Sequence, residues 1–152
     1  MEKIVLDGLS LSLADVVKVA RGGVGARLSE GAERAVDEAS SLVERWASER
    51  SRVIYGVTTG FGDLANVNIS PQDRRTLQEN LLRSHACGVG EPYPTDVTRA
   101  VMLLRVNTLS RGHSGISRTT LTALLNLLNA GIHPLIPRQG SVGASGDLCP
   151  LS

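Results

Sequence analysis

The sequence predicts an all-α fold, on three observations. Five segments carry helix-start signals, their apolar positions recur at three- and four-residue spacing, and the apolar runs between them are short. The run Lys3 to Leu6 reads as an edge strand. Ser12 with Asp15 three residues on forms a capping box, hydroxyl and carboxylate each satisfying the other's backbone N–H, and opens a helix ending at Gly22-Gly23. Gly22-Gly23-Val24-Gly25 reads as a linker. Ser29 caps a helix over 30–49, in which Ala32, Ala35, Val36, Ala39, Leu42, Val43 and Trp46 make one stripe. Glu33, Asp37, Glu38 and Arg45 opposite it read as a solvated face, and Val53-Ile54-Tyr55 as a brief strand.

Ser70-Pro71-Gln72-Asp73 combines a cap, a proline at the first helical position and an acid in the first turn, so a helix runs from there to about Ala86 and stops at Gly88. Thr95 caps the next, to about Ser110, burying Val97, Ala100, Val101, Leu104 and Leu109. Ser117 caps the last, burying Leu121, Leu124, Leu125 and Leu128, with Gly131 and Pro134 ending it. There is no internal repeat. Residues 1–152 read as one helical domain, with functional groups on the loops between helices.

Bulk properties exclude several classes. A chain of 152 residues can bury roughly two-thirds of its unfolded surface. The net charge of +1, with arginines scattered, argues against a nucleic-acid partner. The apolar region Leu121 to Ile132 is broken by Asn126 and Asn129 and is too short to span a bilayer. The N-terminus breaks its apolar run too soon for a signal peptide. Cys87 and Cys149 lack C-x-x-C spacing and fit reduced, cytoplasmic thiols; the three histidines make no metal site. His113 and His133 read as surface or capping residues.

The chemistry concentrates in Gly140-Ser141-Val142-Gly143-Ala144-Ser145-Gly146-Asp147-Leu148-Cys149-Pro150. The amide nitrogen of Gly146 can fold back onto the Ala144 carbonyl carbon and close a five-membered ring. Glycine suits the attacking position because it has no Cβ and takes φ/ψ values other residues avoid. Ser145 can then lose its hydroxyl as water, leaving an exocyclic methylene conjugated to the ring. The bare tripeptide has a plainer reading as a turn, with Asp147 as a cap. Neither P-loop spacing, G-x-G-x-x-G nor a G-x-S-x-G elbow is present.

Two further stretches stand out: Tyr55-Gly56-Val57-Thr58-Thr59-Gly60-Phe61-Gly62 and Asn80-Leu81-Leu82-Arg83-Ser84-His85-Ala86. Three glycines in the first suggest a lid that closes over a substrate, against the alternative of a buried Tyr55 with a satisfied hydroxyl. In the second, Leu77, Leu81 and His85 fall on one helical line with Ser84 beside it, so an apolar stripe ends in two polar groups and opens into a pocket. A core histidine bonded to backbone is the alternative.

Together the three stretches, in this order, resemble the aromatic amino acid ammonia-lyases and aminomutases, and the similarity runs over essentially the whole chain. Those enzymes make a 4-methylidene-imidazol-5-one (MIO) cofactor from an internal Ala-Ser-Gly, with no external cofactor. Cys149 departs from the small alanine common in relatives. Family members are much longer, so the resemblance implies an N-terminal portion of a larger, mainly α-helical lyase, expected to be inactive alone. It implies that Ala144, Ser145 and Gly146 form the cofactor, that Asp147 assists cyclisation, and that Tyr55 is an acid/base on the β-carbon side of the substrate. Such a tyrosine needs a cation, a helix N-terminus or the electron-poor ring to stabilise its phenolate.

Ser84, His85 and Gly62 are then expected at the substrate. Phenylalanine and tyrosine lyases tend to carry Phe-Leu or His-Leu at the 84–85 pair, whereas Ser-His resembles the histidine-specific members. A pocket for imidazole needs hydrogen-bonding groups, because an unpaired ring nitrogen costs about 1–3 kcal/mol. The resemblance therefore implies elimination of ammonia from L-histidine to trans-urocanate, in histidine catabolism, by a cytoplasmic homotetramer. Two rivals stand beside it: an MIO lyase or aminomutase acting on another amino acid, and a catalytically inactive helical oligomerisation module.

Overall fold

A computed structural model describes residues 3–49, 52–140, 146 and 148–152. Five α-helices dominate: α1 (Leu13–Ala20), α2 (Glu30–Ser48), α3 (Pro71–His85), α4 (Thr95–Leu109) and α5 (Arg118–Asn129). Four short strands join them, β1 (Ile4–Leu6), β2 (Ala26–Leu28), β3 (Val89–Pro92) and β4 (Pro137–Gln139), with 3-10 turns at Gly62–Leu64 and Cys149–Leu151. The expected all-α class thus describes the bulk of the chain but misses two small sheets. Contacts divide the chain into one unit of Met1–Val43 with Tyr93–Leu135 and another of Glu44–Pro92 with Ile136–Ser152.

In the first unit, β1 and β2 pair in parallel, Ile4 with Ala26 and Leu6 with Leu28, and α1 forms the connection. The expected linker Gly22–Gly25 therefore delivers the chain into a strand. The outer edge of β2 is filled by a side chain: the Ala26 N–H donates to Asn129 Oδ1 at 2.8 Å, and Asn129 Nδ2 donates to the Ala26 carbonyl at 2.9 Å. This leaves no bare ladder group at Ala26. The core joins Leu6, Val19, Leu28, Val36, Leu103, Val106, Leu121 and Leu128. Arg99 closes one end of that core, donating to the carbonyls of Val19, Ala20 and Leu128 at 2.8, 3.2 and 3.0 Å. A cation at two helix C-termini satisfies carbonyls that have no helical partner.

The caps form as the sequence requires. Ser12 and Asp15 make the reciprocal box, and Ser29, Ser70 and Ser117 each accept from a backbone N–H three residues on. Three expectations are corrected. Val53-Ile54-Tyr55 is no strand: the N–H groups of Val57 and Thr58 both donate to the Ile54 carbonyl, turning the chain. Glu33 and Asp37 are not simply solvated, since both accept from Arg118. On α4, Thr95 follows the cap, which is Pro94, and Val97 and Leu104 are exposed while Thr98, Met102, Leu103, Val106 and Leu109 are buried. That helix is apolar on two faces, so its periodicity cannot choose between them.

Candidate active site

The loop after Tyr55 is held by two threonines. Thr58 and Thr59 are 1% and 3% exposed. Thr58 Oγ1 accepts from the Ile54 N–H at 2.8 Å and donates to the Arg52 carbonyl at 2.7 Å. Thr59 Oγ1 accepts from the Gly56 N–H and donates to the Gly60 carbonyl, at 3.2 and 3.0 Å. A bridge between Thr59 and Asn68 and a bond from the Ile69 N–H to the Thr58 carbonyl at 2.8 Å close the loop at its base. Movement of this expected lid would carry it as a braced unit. Gly56, at φ +71°, brings its backbone against the Phe61 ring, 3.1 Å from where a Cβ would stand. Sequence reading passed over both threonines, although polar hydroxyls among glycines were the available signal.

Tyr55 is not the buried tyrosine of the plainer reading. It is 62% exposed, its ring meets Phe61 edge-on at 5.7 Å and 83°, and no described residue bonds its hydroxyl. Gly62 opens the 3-10 turn at φ +58°, with open space where its Cβ would be.

On α3 the half-buried positions are Arg74, Leu77, Leu81 and His85, so the expected line is the inward face of the helix. Arg74 ties α3 to the end of α2 through the Ala47 carbonyl at 2.7 Å. Ser84 is exposed, and its hydroxyl donates to the Leu81 carbonyl at 2.8 Å while lying 3.0 Å from His85 Nδ1. His85 Nδ1 itself lies 2.7 Å from the same carbonyl.

Of the tripeptide expected to cyclise, Gly146 is described; Ala144, Ser145 and the neighbouring Asp147 lie outside the described residues. Gly146 adopts φ +101° with nothing within 4 Å of its Cβ position, a backbone state L side chains avoid. β4 before it and Cys149 after it both meet the segment that follows α3. β4, just before the stretch, pairs antiparallel with β3, just after α3. Three residues beyond Gly146, the buried Cys149 packs on Gly88, three residues beyond His85. A Cβ at Gly88 would stand 2.7 Å from Cys149 Sγ and 2.8 Å from Pro137 Cγ. The second unit thus brings β4 and Cys149 against the segment that leaves the Ser84–His85 end of α3.

The resolved shifts in acidity lie in the other unit. Backbone N–H groups of Ser10 and Leu9, with the Ser10 hydroxyl, hold the exposed Asp7 carboxyl down at about 2. Arg21 lowers Asp96, and Asp37 raises Arg118. A hollow of about 260 Å³ there is lined by Asp7, Ser29, Ala32, Arg111 and His113, none an expected site residue. Among the described residues no group of acids, cysteines and histidines could hold a metal, and no helix is long and apolar enough to cross a membrane.

Comparison with known proteins follows the same lines. A histidine ammonia-lyase of Streptococcus pyogenes serotype M49 is 55% identical over 149 residues, 98% of this chain. The chain spans 29% of that relative's length. Ergothionase of Treponema denticola, described as an ergothioneine-degrading enzyme, superposes with a TM-score of 0.90 at 36% identity, over 99% of this chain and 30% of its own. A tyrosine aminomutase of Streptomyces globisporus gives 0.89 at 34% identity, over 99% and 28%. The model of the aromatic amino acid lyase family matches residues 11–152. With the loop, the helix end and the glycine-rich stretch in their expected order, the chain belongs to the aromatic amino acid lyase family.

Proposed function

We propose that this chain is the N-terminal, cofactor-bearing domain of a cytoplasmic, homotetrameric histidine ammonia-lyase, which eliminates ammonia from L-histidine to give trans-urocanate. Backbone likeness alone does not choose the substrate, because an aminomutase superposes as well as an ergothionase. The observation that carries the choice is the polar pair Ser84–His85 at the inward end of α3. A phenyl ring gains nothing from a hydrogen-bonding group beside it, whereas an imidazole nitrogen needs one. The 55% identity to a histidine ammonia-lyase points the same way.

Gly146 fits the cofactor: its positive φ and open Cβ position suit the nitrogen that closes the ring. Once formed from Ala144, Ser145 and Gly146, the methylidene-imidazolone supplies an electron sink that lets the substrate amine leave. The remaining roles belong to side chains. Tyr55 takes the proton from the substrate β-carbon, a role supported by its exposure and by a hydroxyl that no described residue bonds. His85, with Ser84 beside it, holds the ring. Gly62 ends the Tyr55 loop without a side chain that would obstruct a ligand, and Asp147 assists cyclisation.

The test is product analysis with the full-length enzyme. Urocanate and free ammonia from L-histidine are expected, and no product from residues 1–152 alone. A β-amino acid with ammonia retained, identified by NMR, would instead make it an aminomutase.

A further inference from the structure

We infer that His85 is held in one tautomer, with its proton on Nδ1, so that Nε2 meets a ligand as a hydrogen-bond acceptor, and that Ser84 is a positioning residue for His85 rather than a second contact to the ring. This rests on the histidine-lyase reading for the identity of the ligand, but its geometric premise does not.

The premise is a triangle of three short distances at the C-terminal end of α3. His85 Nδ1 lies 2.7 Å from the Leu81 carbonyl oxygen, the Ser84 hydroxyl lies 2.8 Å from that oxygen, and Oγ and Nδ1 are 3.0 Å apart. A carbonyl oxygen only accepts. Were Nδ1 unprotonated, two lone pairs would face each other at 2.7 Å, a repulsive arrangement with no compensating proton. The proton must therefore sit on Nδ1. The Ser84 hydroxyl completes the arrangement in one way: its hydrogen goes to the Leu81 carbonyl, and its lone pair takes a share of the Nδ1 proton. Two bonds then fix the ring about its Cβ–Cγ axis as well as its tautomer.

Two consequences follow. In the neutral ring Nε2 carries a lone pair, and no described residue bonds it. The complementary ligand group is a donor: the N–H of an azole, and not its pyridine-type nitrogen. Ser84 has committed its hydrogen to the backbone, so it has none to give to a ligand. This separates the two members of the pair by role, with His85 in contact and Ser84 behind it. It also explains the use of serine, since a hydroxyl that both donates and accepts is what the triangle requires. The same logic governs metal-bound histidines, where the bond made by one ring nitrogen decides what the other presents.

The test uses full-length enzyme labelled with ring-15N histidine, the His85 signals being those that vanish in His85→Gln. An unprotonated Nε2 with a protonated Nδ1 is expected; the reverse assignment overturns the inference without any reference to substrate. Kinetically, Ser84→Ala should raise KM for L-histidine about two- to tenfold, the worth of one such hydrogen bond, with kcat nearly unchanged. Ser84→Thr, which keeps the hydroxyl, should restore KM. A Ser84→Ala enzyme with unaltered KM and unaltered ring signals would remove Ser84 from the account. Absence of urocanate formation by a wild-type enzyme that shows the expected tautomer would refute the substrate reading and leave the tautomer standing.

Discussion

Tyr55 is the residue on which the proposed acid/base chemistry depends, and its setting makes a clean prediction. The residue is 62% exposed and no described residue bonds its hydroxyl, so Tyr55→Phe removes a proton acceptor without disturbing the described packing. In the full-length enzyme kcat should fall about 10²- to 10⁴-fold, the usual worth of a positioned acid/base group, while the unfolding midpoint stays put. Undiminished kcat would remove Tyr55 from the mechanism. Asp7 makes the second prediction at this scale. The turn N–H groups hold its carboxyl at about 2 against an ordinary 3.8. A depressed folded value means stability that is present above the ordinary value and lost as pH falls through about 2. Asp7→Asn should therefore be less stable than the wild type at pH 5, and the gap should close between pH 4 and 2. A gap that persists unchanged at pH 2 would contradict this. The four serine caps were legible because what they satisfy is local, whereas the expected roles of Tyr55 and His85 came from the family resemblance. Thr58 and Thr59 were not legible, since what they satisfy is a loop geometry visible only once folded.

Among elements, helices were legible and strands largely were not. Each helix carries its own start signal and stripe, whereas β2 is three residues long and β3 finds its partner some 50 residues away by number, at β4. The α4 error has a different origin, two apolar faces on one helix. The link between α3 and the glycine-rich stretch is also a pairing of distant segments, and Gly88 tests it. Its backbone leaves no room for a methyl group against Cys149 Sγ and the Pro137 ring. Gly88→Ala should cost about 1–3 kcal/mol by overpacking, and Cys149→Ala in the same chain should return part of it by removing the sulfur. Denaturant unfolding of the two single variants and the double variant measures this coupling. Additive effects would mean that the contact does not hold the two segments.

For the whole molecule, the family was legible in three motifs in order, and what the rest of the enzyme adds was not. The chain spans 29% of the length of a histidine ammonia-lyase to which it is similar. Under the proposed function, what this chain supplies is the electrophile. Ring closure expels one water and dehydration of Ser145 a second, so mass spectrometry of the peptide spanning residues 144–146 from native full-length enzyme reads the event directly. A peptide lighter by both waters, whose methylene adds hydride from borohydride as turnover is lost, is the predicted result. An unmodified Ala-Ser-Gly peptide from an enzyme that still turns over histidine and ignores borohydride would contradict the account at its centre.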